Sequence, residues 1–381
     1  MTPLRSHHKP THAPRRTPSG GFTSTIAALI AIAFAAPASA QPFEGRYPTQ
    51  TSDRDDMAER LAQRTESIEG YLQTPSARRM LDAVDDLPPR ARRWLWSTNG
   101  FDERTYTLDE YDDVPDGIKG VLNFYGISEL VYYGGWTSDF PFIELRAFDL
   151  AFQDSPLADP EAIAGARILI VDPSVITQGW LLASMGAHVT ITSDAKRFHT
   201  LYDSPSDRGR VIGRGGAPDG SLTIVRGDWP GQPEAAREAG EGFDLIISIS
   251  SFSMGALDPV PLPERFANEP NPIKQNLGGP EPFAQKLHAS LAPGGRFVSY
   301  AWGSPPRTGL YPRADADVRP FVSPSVATKA GLAPRTYASD ASVFNRILGD
   351  RFQAPELRRA LDNDGRNAPQ LLAVYAVYDR P

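Results

Sequence analysis

Residues 166–194, ARILIVDPSVITQGWLLASMGAHVTITSD, constrain the fold of this chain more than any other stretch. The β-branched run at 167–171 reads as one buried strand. Asp172, Pro173 and Ser174 break it, the apolar stretch around Trp180 and Met185 reads as a helix, and 188–192 reads as a second strand. Strand, turn, helix and strand within about thirty residues make one βαβ unit, with parallel strands and a right-handed crossover. The expected fold class is therefore α/β, a doubly wound and mostly parallel sheet.

The residues that follow extend the same pattern. Residues 222–225 read as a third strand, ending at Gly227-Asp228-Trp229. FDLIISI at 243–249 is a continuous apolar run of the kind a central parallel strand shows when both faces are covered. It ends at Ser250-Ser251, before a proline-rich excursion over 258–282, a helix over 282–291 and a strand over 296–300 entered through LAPGG. Helices over 323–331 and 354–362 and strands over 334–338 and 371–378 complete the sheet. The Gly- and Arg-rich stretch 208–220 lacks the Lys-Ser or Lys-Thr of a phosphate-binding loop and reads as an exposed hairpin or loop.

The first forty residues form a separate segment. They carry Arg5, Lys9, Arg15 and Arg16 and no acid, then an apolar run over 26–36, then Ala38-Ser39-Ala40. A basic region, a short apolar core and an A-x-A site are the pattern of a secretory signal peptide cleaved near Ala40; an uncleaved anchor or a tail is the alternative. Cleavage leaves a secreted or periplasmic protein with no stable membrane span. It also takes four positive charges from a formal net charge of −7, leaving −11. Such an acidic chain is poorly suited to nucleic acid, and a small molecule or glycan is the expected ligand. There are no cysteines among the 381 residues, which excludes disulfides, thiolate nucleophiles and cysteine-ligated metals. His188, His199 and His288 lie on separate expected elements, so no metal site is expected.

Residues 41–160 are expected to form a helical and aromatic extension ahead of a main domain at 161–381. Helices are expected over 53–72, 77–84, 90–96 and 117–125, the last opened by the acidic DEYDDVPD stretch. Trp94 and Trp96 are expected to anchor the extension to the main domain. The aromatic stretch around Trp136, Phe140 and Phe142, with Asp139 and Glu144, admits two readings: one wall of a pocket over the sheet, or a layer covering a sheet edge.

ILIVD at the first strand, Gly186-Ala187 before VTITSD, RGDW, FDLIISISSF and LAPGGRFVSY stand in the order seen in class I S-adenosylmethionine-dependent methyltransferases. Residues 161–381 resemble that fold, and the glycine-free turn, the ISSFS stretch and the proline-rich excursion resemble a divergent branch of unknown function. The resemblance implies an S-adenosylmethionine site with Asp172, Ser174 and Gly179 at the first turn, Asp194 for the ribose, Asp228 and Trp229 at the adenine end, and Ser250 toward the reacting methyl group. It implies no particular catalytic side chain. The chain departs from the pattern in two places. A single Gly179 replaces the glycine-x-glycine-x-glycine turn, and Asp194 falls one residue past the usual acid, with Ser193 in its place.

Two functions are compatible with these residues. One is an exported methyltransferase acting on a small molecule or glycan, in which alignment of donor and acceptor does most of the work. The other is a cofactor-free binding protein of the cell envelope on the same fold. A serine hydrolase is excluded by the missing Gly-x-Ser-x-Gly elbow, and a nicotinamide dehydrogenase by the missing Gly-x-Gly-x-x-Gly.

Overall fold

A computed structural model of the chain describes residues 68, 70–90, 92–98, 104–134, 140–202, 204–249, 278–303, 320–340 and 372–381. The expected helix over 354–362, Trp136, Asp139, Ser250 and most of the expected helix over 53–72 lie outside them.

Thr74 opens the first described helix. Its hydroxyl accepts the Ala77 amide at 3.3 Å, and Pro75 fills a first-turn position whose missing N–H has no helical acceptor anyway. This helix, α1 (Pro75–Asp82), buries Ala77, Met80 and Leu81, one stripe at helical spacing.

Two of the expected helices are strands or short turns. Residues Arg93–Ser97 form β1, which pairs antiparallel with β2 (Thr105–Tyr106) and with β3 (Asn123–Ile127). Helix α2 (Asp116–Lys119) is a single turn after the acidic stretch. The reason lies in period: Leu95 is buried while Trp94 and Trp96 are half-buried, an alternation that suits a strand. Leu95 therefore joins the core, and the tryptophans cover the other face of the small sheet rather than anchoring it. Trp94 stacks on Phe124 (5.0 Å between ring centres) and Trp96 on Tyr111 (4.2 Å). Gly126 stands opposite Trp94, and a Cβ there would lie 3.0 Å from the indole.

Helices α3 (Glu129–Gly134), α4 (Phe140–Phe152) and α5 (Pro160–Ile163) lead into the main sheet. Its elements follow in order: β4 (Arg167–Val171), α6 (Thr177–Ser184), β5 (His188–Ser193), α7 (Lys196–Tyr202), β6 (Gly209–Val211), β7 (Gly220–Arg226), α8 (Pro233–Ala239), β8 (Phe243–Ile249), α9 (Pro280–Ser290), β9 (Leu291–Gly303), α10 (Pro324–Lys329), β10 (Ala333–Asp340) and β11 (Leu372–Asp379). The order across the sheet is β10-β11-β9-β8-β4-β5-β7-β6. β4, β5, β7, β8 and β9 run parallel, while β11 is antiparallel to both neighbours and β6 makes an antiparallel edge with β7.

Taken in chain order, the five parallel strands lie 3-2-1-4-5, the arrangement of a doubly wound sheet. Along β4, Ile168 and Ile170 enter one apolar cluster with α4 and α6, whereas Leu169 and Val171 enter another with α8, α9 and α10. Burial on both faces explains why the central strands lack a polar period. The first cluster runs without interruption from Ile68 to Val377, so the extension and the sheet share one core.

Buried ionic contacts join the same parts. Both carboxylate oxygens of Asp207 accept from Arg93 Nη2 (2.9 and 2.8 Å), and Asp207 also accepts from the Tyr132 hydroxyl (2.5 Å) and the Ser204 amide (3.0 Å). Arg296 on β9 pairs with Asp379 on β11 and donates to the Ala151 carbonyl at the end of α4.

Candidate functional site

β4 lies between β5 and β8, and the connections on its two sides run over opposite faces of the sheet, α6 over one and α8 over the other. The crevice at the carboxyl ends of strands at such a switch point is where open α/β sheets hold their ligands. Here it is bounded by the turn after β4.

That turn is built without glycine. Asp172 takes φ +48°, a left-handed conformation that an aspartate tolerates better than most side chains, and its amide donates to the Thr192 carbonyl at 2.8 Å. Three contacts hold the rest of the turn. Glu144 Oε1 on α4 accepts the Ser174 amide at 2.9 Å, Thr177 Oγ1 donates to the Tyr133 carbonyl, and Tyr202, whose hydroxyl donates to the Tyr132 carbonyl at 2.9 Å, is also hydrogen-bonded by the Ile176 backbone. Glu144 and Tyr133 thus tie the helices before the sheet to the turn after β4.

Gly179 occupies the second turn of residues after Asp172, but it serves packing. A Cβ there would sit 2.8 Å from Ile191 Cδ1 and 3.0 Å from Leu222 Cδ1, so its hydrogen lets α6 lie close on β5 and β7. Close helix–strand approach is one of the roles of glycine in such units, distinct from contact with a phosphate or cofactor.

Asp194 follows the end of β5 and is exposed; Ser193 before it is buried, with its carbonyl accepting the Gly227 amide (2.8 Å) and bonded to His199 Nε2 (2.7 Å). Asp228 follows β7, half-buried, and its carbonyl accepts the Gln232 amide at 2.7 Å to start α8. Asp172, Ser174, Asp194 and Asp228 therefore follow the ends of three neighbouring strands, as the resemblance implies. Trp229 is corrected: it is 1 % exposed and packed in the second cluster with Leu169, Val171 and Phe243. An indole enclosed in that way has no face to offer an adenine.

Glu144, which the sequence offers only as part of the aromatic stretch, stands at the first turn itself. Its carboxylate is completely buried, and burial pushes its pKa up to about 7 against the hydrogen bonds from Ser174. Oε2 has no hydrogen-bond partner among the described residues. The signal was an acid within FPFIELRAFDLAF, a helix otherwise apolar on most sides, where a charge has to find a buried partner. On the other face, Thr192 and Ser248 flank Val171 at one level of the sheet, both buried with hydroxyls that lack partners among the described residues. No group of three or more acid or histidine side chains gathers as a metal site would need among the described residues. No described helix is long and apolar enough to cross a membrane.

No protein-family model matches the chain, and no curated protein matches it. Solved structures similar to it include a putative sarcosine dimethylglycine methyltransferase from Galdieria sulphuraria, 14% identical, covering 65% of this chain and 86% of that one, with a TM-score of 0.33. A geranyl diphosphate methyltransferase in complex with GPP and sinefungin is 12% identical, with 66% and 87% covered and a TM-score of 0.37. A cyclopropane synthase from Mycobacterium tuberculosis is 12% identical, with 62% and 84% covered and a TM-score of 0.37. These are likenesses in outline. The fold is a mixed α/β with a mostly parallel central sheet, and it is the strand order of this chain that carries the reading of its site.

Proposed function

We propose that the chain binds S-adenosylmethionine at the carboxyl edge of β4, β5 and β7 and transfers its methyl group to a small molecule or glycan. The observation that supports this most is the placing of Asp172, Asp194 and Asp228 after three adjacent strands at the switch point of the sheet. The residues present suit such a group in part. Asp194, exposed at the end of β5, is free to accept ribose hydroxyls, and the turn at Asp172 and Ser174 borders the crevice. When bound, the cofactor supplies an electrophilic methyl on a positively charged sulfur. Asp194 and the turn at Asp172 and Ser174 would hold that group so that its methyl would face a nucleophilic atom of the acceptor, whose proton would pass to solvent. The chain's own contribution is then alignment and exclusion of water, which asks for no strong base. The same proposal includes residues 1–40 as an export signal, which would carry the activity out of the cytoplasm.

A second reading has one specific observation in its favour. Glu144 already holds the Ser174 amide, so a ligand carboxylate seeking that donor meets a carboxylate of the chain itself. On that reading the fold binds an envelope ligand without methyl transfer. Calorimetric titration with S-adenosylmethionine and S-adenosylhomocysteine separates the two. Micromolar binding by the native chain, weakened at least tenfold in Asp194→Ala and Asp228→Ala, supports the first; an absence of heat at millimolar ligand leaves the second.

A further inference from the structure

The geometry points to Glu144 as the receptor for a cationic N–H group, an alkylammonium, on the small molecule held at the first turn. This rests on the proposed cofactor site and names a residue and a charge for it.

Glu144 is a buried acid with an unmatched oxygen. Glu144 projects from α4 toward the turn after β4, is fully buried, and spends Oε1 on the Ser174 amide at 2.9 Å. Oε2 is equally enclosed and has no hydrogen-bond partner among the described residues. Arg146, two residues along, is directed elsewhere: its guanidinium pairs with Asp149 and covers the Tyr71 ring at 4.9 Å. Asp149 is in turn fixed by the amides of Gln73 (3.0 Å) and Thr74 (2.8 Å). The Arg146 guanidinium is thus committed to Asp149 through Nη1, although its buried Nε has no hydrogen-bond partner among the described residues, and no described lysine or arginine bonds to Glu144.

A carboxylate enclosed without a counter-charge is among the costliest arrangements a fold can keep, and such groups are normally paired or functional. The acceptor here is oriented by the Ser174 backbone and side chain, at the turn after β4 beside the switch point where this sheet type holds ligands. An ammonium completes it in a way that a neutral donor does so less strongly, because a charge-assisted bond in a dry site is about twice as strong as a neutral one. Two sources offer that chemistry: the α-ammonium of the cofactor, and an amine on the acceptor.

The test compares the native chain with Glu144→Gln, which keeps the shape and the acceptor for Ser174. Three probes are titrated: S-adenosylhomocysteine, which carries the ammonium; methylthioadenosine, which has the nucleoside and thioether but no ammonium; and ethylammonium chloride, with potassium chloride as control. The expected result is that Glu144→Gln weakens S-adenosylhomocysteine by about 10- to 100-fold, the loss of one charge-assisted bond, and leaves methylthioadenosine within twofold. Ethylammonium stabilising the native chain but not the variant, with S-adenosylhomocysteine unaffected, assigns the site to an acceptor amine and equally supports the inference. Equal binding of every probe that binds at all to both proteins overturns it and leaves the cofactor reading standing. Failure of both nucleosides, with ethylammonium retained in a Glu144-dependent way, removes the cofactor reading and keeps the inference. Failure of all three overturns both.

Discussion

Replacing Glu144 by glutamine has a calculable effect on the stability of the ligand-free protein. Burial raises the Glu144 carboxyl from its ordinary value of 4.5 to about 7, so the folded state holds its proton more tightly than the unfolded chain does. Below about pH 4.5 the group is protonated in both states and contributes no pH dependence. Between about 4.5 and 7 the unfolded chain loses the proton while the folded one keeps it, and stability falls with each step in pH. Above about 7 both are ionised and the full cost is present. A shift of about 2.5 units at 1.36 kcal/mol each gives about 3 kcal/mol, an upper figure because the native state relaxes around a buried charge. Glutamine carries no such charge and can still accept the Ser174 amide through its oxygen. Glu144→Gln is therefore expected to match the native protein at pH 4.5 and to exceed it by about 2–3 kcal/mol at pH 8, read by urea unfolding at a series of pH values. A variant less stable than the native protein at pH 8, or a difference that does not change between pH 4.5 and 8, would show instead that Glu144 is compensated in the folded state.

Other substitutions test the remaining contacts. Asp207→Asn removes the charge that holds Arg93 and Tyr132 and is expected to cost about 3 kcal/mol in urea unfolding, since it leaves a partly buried guanidinium unpaired; a loss below 1 kcal/mol contradicts that role. Gly179→Ala pushes a methyl against Ile191 and Leu222 and should destabilise by about 1 kcal/mol net of its better helix propensity. Adding Ile191→Val, which deletes the nearest carbon, should cost less than the sum of the two single changes; strict additivity would mean the contact relaxes freely. Trp229→Ala is expected to lose about 3–5 kcal/mol as a core cavity, while Trp229→Phe leaves S-adenosylhomocysteine affinity within twofold. A tenfold loss of affinity in the phenylalanine variant would return Trp229 to the adenine site.

The central sheet was legible because its signals are local. The runs at 167–171 and 243–249 are β-branched and apolar with no polar period, and both form strands at those bounds. The turn after β4 and the acids at 172, 194 and 228 follow directly from where strands end. The extension was harder, because Arg93–Ser97 and Asn123–Ile127 are five-residue strands whose partners lie far apart in sequence, and short aromatic segments fit a helix turn as readily as a strand. Trp229 misled for a related reason: position after a strand end says nothing about which way an indole turns, and the second core cluster claims it. Gly179 looked like a relic of a glycine turn, yet its closest neighbours are Ile191 and Leu222, which only the packed helix brings near. Glu144 was visible only as a member of the aromatic stretch, because its role comes from Ser174, thirty residues later and on the far side of a strand.

The account stands most directly on where a ligand sits. Amide hydrogen exchange of the native chain with and without S-adenosylhomocysteine reads that position segment by segment. Binding at the carboxyl edge predicts slower exchange over residues 172–177, 193–195 and 227–229, with the antiparallel edge at β6 unchanged. Slowing confined to other segments, or identical exchange at saturating ligand, would contradict the claim that this sheet holds an S-adenosylmethionine-type ligand at its switch point.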